Sequence, residues 1–383
     1  MHHNTQITPH NIMRMGSIKL CQIFKYNPIN ASLKVAIYHR ALQLLSEEEN
    51  SYLWFNARGL ATILYQFSIH DIPVEQYFID AWEREACKQI QDFTPRELAL
   101  SIHAFGHFAL RPSATFIQAW EREACTKIKS FKTQELVNSI EAFKGLEIKP
   151  SIQFIEAWER ETCDKIEEFN PKYLVFSVYA IYTINNLTNC HIKIPIPILR
   201  SIEEKYKILD LRDCHQLWVA NADFFQKYQQ SLFSNEVLEY LWQYIENNGL
   251  APSYMTRLQQ EVSEILSQIS PKEIISEKWI PEIASYVDNF ISDTNLIIQV
   301  DGPTHFNKYE QNSSTKLNTK LLENLGYKVQ RISYFVWDQL YSEADKRKYI
   351  DRLLQDSYLE NDILPLGSCT NNGAAVHDMV FLF

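Results

Sequence analysis

Four side chains toward the C-terminal end of this 383-residue chain carry the chemistry its sequence offers most plainly. Asp288 lies in a strand-like run from Ala284 to Ile291. Gln299 and Asp301 close a second run, Asn295 to Asp301, and His305 follows four residues later. Strand residues two apart point to one face, so Gln299 and Asp301 share a side. If the two runs pair as a hairpin, Asp288 approaches that side as well. Carboxylates converging at a strand end can hold Mg²⁺ with a few waters and polarise a phosphodiester. On this reading Asp288 and Asp301 are the metal ligands and Gln299 a neutral neighbour, with Glu261 a further ligand from an upstream helix. A plainer reading makes Asp301-Gly302-Pro303 a turn whose carboxylate caps backbone amides.

The elements that must position these groups follow from hydrophobic pattern. Ser253 to Ile269 reads as an amphipathic helix with Val262, Ile265 and Leu266 on one stripe. Glu273 to Ile280, Ala284 to Ile291 and Asn295 to Asp301 read as strands. The continuous apolar run in the last of them predicts burial on both faces. A helix from about Thr315 to Leu325 ends at Gly326, a suitable C′ residue. The strand Lys328 to Ser333 and a helix from about Ser342 to Gln355 complete a small α/β module over residues 253–355.

Upstream, the chain repeats. Phe78-Ile-x-Ala-Trp82-Glu-Arg-Glu-Ala-Cys87 returns at Phe116 to Cys125 and again, with one change, at Phe154 to Cys163. Both steps are 38 residues. A second segment keeps the period, led by Phe55, Phe93, Phe131 and Phe169. A fixed period of this length marks stacked helix pairs. In each unit helix A opens after a polar cap and Pro, as at Thr94-Pro95, with Leu98, Ile102 and Phe105 on one stripe. Helix B follows Pro112-Ser113 or Pro150-Ser151, with Phe116, Ala119, Trp120 and Ile128 facing inward. The array is expected over residues 31–248, its last helices degenerate. Residues 1–30 read as a leader or a short helix, and 356–383 as a polar tail with an apolar tip.

The copies also separate core from surface. Trp82, Trp120 and Trp158 stay fixed and read as core. Their Glu and Arg neighbours could form ladders of ion pairs between stacked units. Cys87, Cys125 and Cys163 would stand about 10 Å apart in stacked helices, too far for a shared zinc or a disulfide. On helix A a variable stripe faces the other way: Arg58, Arg96, Gln134 and Lys172, then Thr62, Leu100, Asn138 and Phe176, then Tyr65, His103, Glu141 and Tyr179. In modular RNA readers one or two such side chains per unit contact one base, and a cationic position can hold phosphate. A freely drifting solvent face is the alternative.

Bulk properties constrain the rest. The net charge of −10 lacks the basic footprint usual in nucleic-acid binders, so any basic stripe must be local. Nine glycines leave little room for a glycine-rich phosphate loop. Seven cysteines without paired spacing fit a reducing compartment. No apolar run approaches the ~20 residues that span a bilayer. With no targeting leader legible, the cytosol is the expected compartment, an organelle or delivery into a host cell being the alternatives.

The stretches Leu296 to Phe306, Thr319 to Val329 and Ile332-Ser-Tyr-Phe-Val-Trp337 resemble the RAP domain, a family of RNA-binding modules found in organellar RNA-processing proteins. The 38-residue helix pairs resemble octotricopeptide repeats, which often precede RAP domains. RAP domains are similar in predicted fold to restriction-endonuclease-like nucleases with a PD-(D/E)XK core. In that pattern Asp288 takes the first acidic place. Gln299 stands where an acid is expected and Asp301 where Lys would be, so the signature is eroded. The resemblance implies an α-solenoid followed by a restriction-endonuclease-like α/β domain. It implies post-transcriptional RNA binding, in which helices A contact single-stranded RNA through Arg58, Arg96, Asn138, Lys172, Tyr65, His103 and Tyr179. The module, with His305, would grip the backbone. No cofactor is required for binding. A Mg²⁺-dependent endoribonuclease using Asp288, Gln299, Asp301 and Glu261, and a protein-binding helical scaffold, are the alternatives.

Overall fold

The computed structural model describes residues 7–25, 29–46, 54–249, 255–307 and 310–359. The chain divides into two compact units, residues 1–198 and 199–383. Of the expected tail, residues 356–359 close the last helix and the apolar tip lies outside the described residues.

The first unit contains α1 (Pro9–Ile12), α2 (Ser17–Gln22), α3 (Ala31–Ser46), α4 (Ala57–Ile69), α5 (Gln76–Gln89), α6 (Pro95–Phe108), α7 (Ala114–Lys127), α8 (Thr133–Leu146), α9 (Ile152–Asp164) and α10 (Pro171–Thr188). The segment read as a leader holds two short helices: α1 packs on α3 and α2 on α4, and Ile12, Leu20 and Ile23 are buried. Thr8 caps α1 by accepting from the Asn11 amide, a short signal that composition alone obscures.

From α4 on, the helices keep the sequence period. The A helices α4, α6, α8 and α10 begin at residues 57, 95, 133 and 171, and the B helices α5, α7 and α9 at 76, 114 and 152. Their starts have local causes. Asn56 accepts from the Gly59 amide, Thr94 and Glu97 form a reciprocal capping box, and Ser113 and Ser151 cap α7 and α9. Within each unit the buried Trp ties B to A: Trp82, Trp120 and Trp158 Nε1 donate to the carbonyls of Leu60, Leu98 and Leu136 at 2.9, 2.9 and 3.0 Å. An indole buried without such an acceptor would forfeit a hydrogen bond.

The Glu residues beside each Trp bond mainly to backbone and Lys rather than building ion-pair ladders between units. Glu83 and Glu121 reach forward and accept from the amides of Ser113 and Ser151, at the N-caps of the next B helices. Glu123 and Glu161 orient Lys127 and Lys165, four residues on. Lys127 in turn donates to the carbonyls of Gln91 and Phe93, in the turn joining the preceding unit, and Lys165 to those of Lys129 and Phe131. Consecutive A helices pack directly. Gly106 and Gly145 let α6 and α8 approach backbone to backbone: a Cβ at Gly106 would lie 2.8 Å from the Cα of Ala142. Cys87, Cys125 and Cys163 are half-buried free thiols.

The second unit holds most of α11 (Ile196–Lys205), then α12 (Leu211–Tyr228), α13 (Asn235–Gly249) and α14 (Arg257–Ile269). The strands are β1 (Ile274–Ile280), β2 (Ser285–Ile291), β3 (Leu296–Asp301), β4 (Phe306–Asn307), β5 (Glu310–Gln311) and β6 (Lys328–Ser333). The remaining helices are α15 (Ser313–Asn324), α16 (Tyr334–Trp337) and α17 (Glu343–Leu359). The main sheet has the order β1-β2-β3-β6, antiparallel except for the parallel pair β3/β6. All residues of β3 are buried, as its continuous apolar run predicts. Helices α14 and α17 bury Val262, Ile265, Leu266, Ile350 and Leu354 against Leu296, Ile298, Val300 and Ile332 on one face. The alternate residues of β3 face the side on which α15 packs. Trp218 of α12 donates to the carbonyl of Pro281 at 2.8 Å, so the late helices cluster with the sheet.

Candidate functional site

The β2/β3 ladder runs from Ile291↔Leu296 to Asn289↔Ile298 and stops one step short of Asp288 and Gln299. Side chains take over there. The Asp288 amide donates to Gln299 Oε1 at 3.0 Å, and the Val300 amide donates to Asp288 Oδ2 at 2.6 Å. Gln259 of α14 donates to Asp288 Oδ1 at 2.6 Å. Both oxygens of Asp288 are therefore engaged. Burial pushes its carboxyl above the ordinary range, against the lowering effect of the Val300 and Gln259 donors. Gln299 is buried, and its amide group faces Asn318 of α15 at 3.5 Å.

Asp301, one pleat further along β3, is 1% exposed. Arg331 of β6 meets it with two parallel bonds, Nε to Oδ2 and Nη2 to Oδ1, both 2.8 Å. The other guanidinium nitrogen, Nη1, donates to Thr319 Oγ1 at 2.9 Å and faces Asn318 Oδ1 at 3.4 Å. His305 Nδ1 lies 3.2 Å from Thr315 Oγ1 and 3.5 Å from Asp301 Oδ1, with its ring partly exposed. The structure brings Asp301 and His305 side by side, and the sequence gives Arg331 no role. Its part depends on the parallel register Gln299↔Arg331, which a helical crossover hides.

Two further acids complete the picture. Glu277 stands across from Asp288, between the pairs Ser276↔Asn289 and Lys278↔Val287. Its φ is +52°, an uncommon left-handed conformation for a residue with a long side chain. Its Oε1 is buried without a hydrogen-bond partner, and burial, then the Asp288 charge, raises its carboxyl. Glu261 does not join the group. It accepts from Trp337 Nε1 at 3.1 Å and Lys346 Nζ at 2.8 Å, and so faces α16 and α17. Lys346, then Trp337, lowers it to about 2.

These residues do not fit a Mg²⁺ site. Asp301 is neutralised by a bidentate guanidinium, Asp288 is spent on an amide proton and Gln259, and Glu261 is committed to Lys346. Among the described residues no three His, Cys, Asp or Glu side chains are grouped to hold a metal ion. Asp288, expected as a metal ligand, instead fastens the strand end that the β2/β3 ladder leaves open, and Asp301 is paired with Arg331 alongside the β3/β6 ladder.

In the first unit the variable stripe of helix A is solvent-facing in part. Arg58, Arg96 and Gln134 are exposed, while Lys172, Asn138, Tyr65, His103 and Tyr179 are half-buried. The rings of Tyr65 and His103, on neighbouring A helices, lie 5.9 Å apart. Lys144 of α8 sits 5.6 Å from the ring centre of Tyr179 on α10.

The second unit is thus a small mixed α/β module whose polar groups brace the ends of its central strands. Residues 298–353 match the family model of the RAP domain, so the chain carries a RAP domain, a family associated with RNA binding. No curated protein matches the chain. No helix among the described residues is long and apolar enough to cross a membrane.

Proposed function

We propose that this protein binds RNA and acts in post-transcriptional RNA metabolism, its A-helix layer contacting single-stranded RNA and its RAP domain the backbone. The RAP match carries the reading. Charge supports it. Although the chain is acidic overall, residues 298–353 hold nine Lys and Arg against seven Asp and Glu. Arg58, Arg96 and Lys172 each occupy the second position of an A helix, with Gln134 in the same place on α8. A cation there opposes the positive end of the helix dipole, so local stability does not favour it. A phosphate drawn to both would offset the cost. The helix pairs act in this reading as octotricopeptide-like repeats, and the cysteine usage favours the cytosol. The committed carboxylates at Asp288 and Asp301 favour binding over cleavage.

Fluorescence anisotropy with labelled single-stranded RNA tests this directly. Micromolar or tighter binding that weakens with salt is expected. Absence of binding at low salt overturns the reading in favour of a protein-binding scaffold. Mg²⁺- or Mn²⁺-dependent cutting lost in Asp288→Ala would replace it with the nuclease reading.

A further inference from the structure

The third row of the A-helix stripe holds two orphan polar atoms on adjacent units. His103 Nδ1 on α6 and Glu141 Oε1 on α8 are both buried and both lack a hydrogen-bond partner. They occupy the same place in the 38-residue repeat, and α6 and α8 are packed together. The other Glu141 oxygen accepts from Lys144 at 2.5 Å, which fixes the carboxylate on this surface. The Glu141 side chain is 25% exposed, so a ligand on this surface can reach the carboxylate. The neighbouring units place a tyrosine on either side of the pair in the same row, Tyr65 and Tyr179.

We propose that His103 and Glu141 form a base-reading pair that selects a nucleobase carrying an exocyclic amino group. The inference rests on the RNA-binding reading and adds specificity to it. Natively, buried polar groups find partners, and a partner missing from the protein is one a ligand can supply. A carboxylate oxygen only accepts, so the missing group must donate. A phosphate is excluded by like charge. Adenine, cytosine and guanine each present an amino group, and a carboxylate accepting from cytosine N4 is an established pairing geometry. Uracil has no amino group; its one donor on that edge, N3–H, lies between two carbonyl oxygens that would both face the carboxylate. His103 suits the same role. Burial, then the charges of His107 and Lys144, lowers its pKa, and a neutral imidazole has one donor and one acceptor to offer. Tyr65 and Tyr179 supply flat rings on which the adjoining bases can stack.

The test compares oligo(A), oligo(C) and oligo(U) of about twelve nucleotides, each end-labelled, by anisotropy with the full chain. Wild type is expected to bind oligo(A) or oligo(C) about tenfold or more tightly than oligo(U). Glu141→Gln keeps the shape but adds a donor that uracil can use, and Glu141→Ala removes the acceptor. Both variants, checked for native circular dichroism, should lose the preference while retaining oligo(U) binding. Equal binding of the three oligonucleotides by wild type, or a preference that survives both variants, overturns the inference and leaves the RNA-binding reading standing. Failure of wild type to bind any of the three at low salt defeats that underlying reading instead.

Discussion

Arg331 and Asp301 grip each other across the parallel strands β6 and β3 through two bonds of 2.8 Å, with the carboxylate almost wholly buried. Removing one partner leaves a buried charge without its counterion. Arg331→Ala should cost about 3–5 kcal/mol, confined to the second unit. Replacing both, as Asp301→Leu with Arg331→Met, should recover most of it, because desolvating an ion pair is itself expensive. Chemical denaturation of the single and double variants, followed by hydrogen exchange in β3 and β6, measures the difference. A single variant as stable as wild type would show that the pair contributes nothing.

Gly145 is the second place where one substitution has a defined effect. A Cβ there would overlap the carbonyl oxygen of Gly106, which is backbone and cannot rotate away. Gly145→Ala should therefore destabilise the first unit by about 1–3 kcal/mol, although alanine favours helices elsewhere. Thermal unfolding reads this out, and a raised midpoint would mean that α6 and α8 separate more readily than their packing suggests.

The cations at the starts of the A helices predict a salt dependence. Each phosphate neutralised on a single strand contributes about 0.7 to the slope of log affinity against log salt. Replacing Arg58, Arg96 and Lys172 together by Ala should flatten that slope by about 2. A triple variant with the wild-type slope would place the phosphate contacts elsewhere.

Glu261 gives a pH signature. Its carboxyl is lowered from an ordinary 4.5 to about 2 by Lys346 and Trp337. A lowered acid contributes stability above its unfolded pKa and loses it as pH falls through the folded one. The contact between α14 and α17 should accordingly loosen between about pH 4.5 and 2. Since the side chain is 32% exposed, solvent screening keeps the effect modest. The indole N–H resonance of Trp337, which donates to Glu261, reports it. Lys346→Met should move the transition toward 4.5, and an unmoved transition would assign it to another group.

Much of this architecture is legible because it is local or repeated. Trp82, Trp120 and Trp158 announce a core by recurring, and Thr94 and Ser113 announce helix starts by their chemistry. The strand Leu296–Asp301 is readable from its continuous apolar run. What escapes is whatever depends on how distant segments come together. Arg331 looks like an ordinary strand residue until parallel pairing sets it opposite Gln299. Glu277 gains its place only through the β1/β2 register. Glu261 reads as a potential ligand because the rotation of α14 about its axis is set by α16 and α17, which lie more than 70 residues away in sequence. Spacing also groups Asp288 with Asp301 as metal ligands, when each already has a protein partner.

The way Lys127 and Lys165 fasten back to the preceding turn, while Glu83 and Glu121 reach forward to the next helix, makes the α5/α7 and α7/α9 joints chemically alike. Excising or duplicating a stretch of 38 residues would bring the same donor to the same acceptor at the new junction. The array can thus change its length at these joints without inventing an interface.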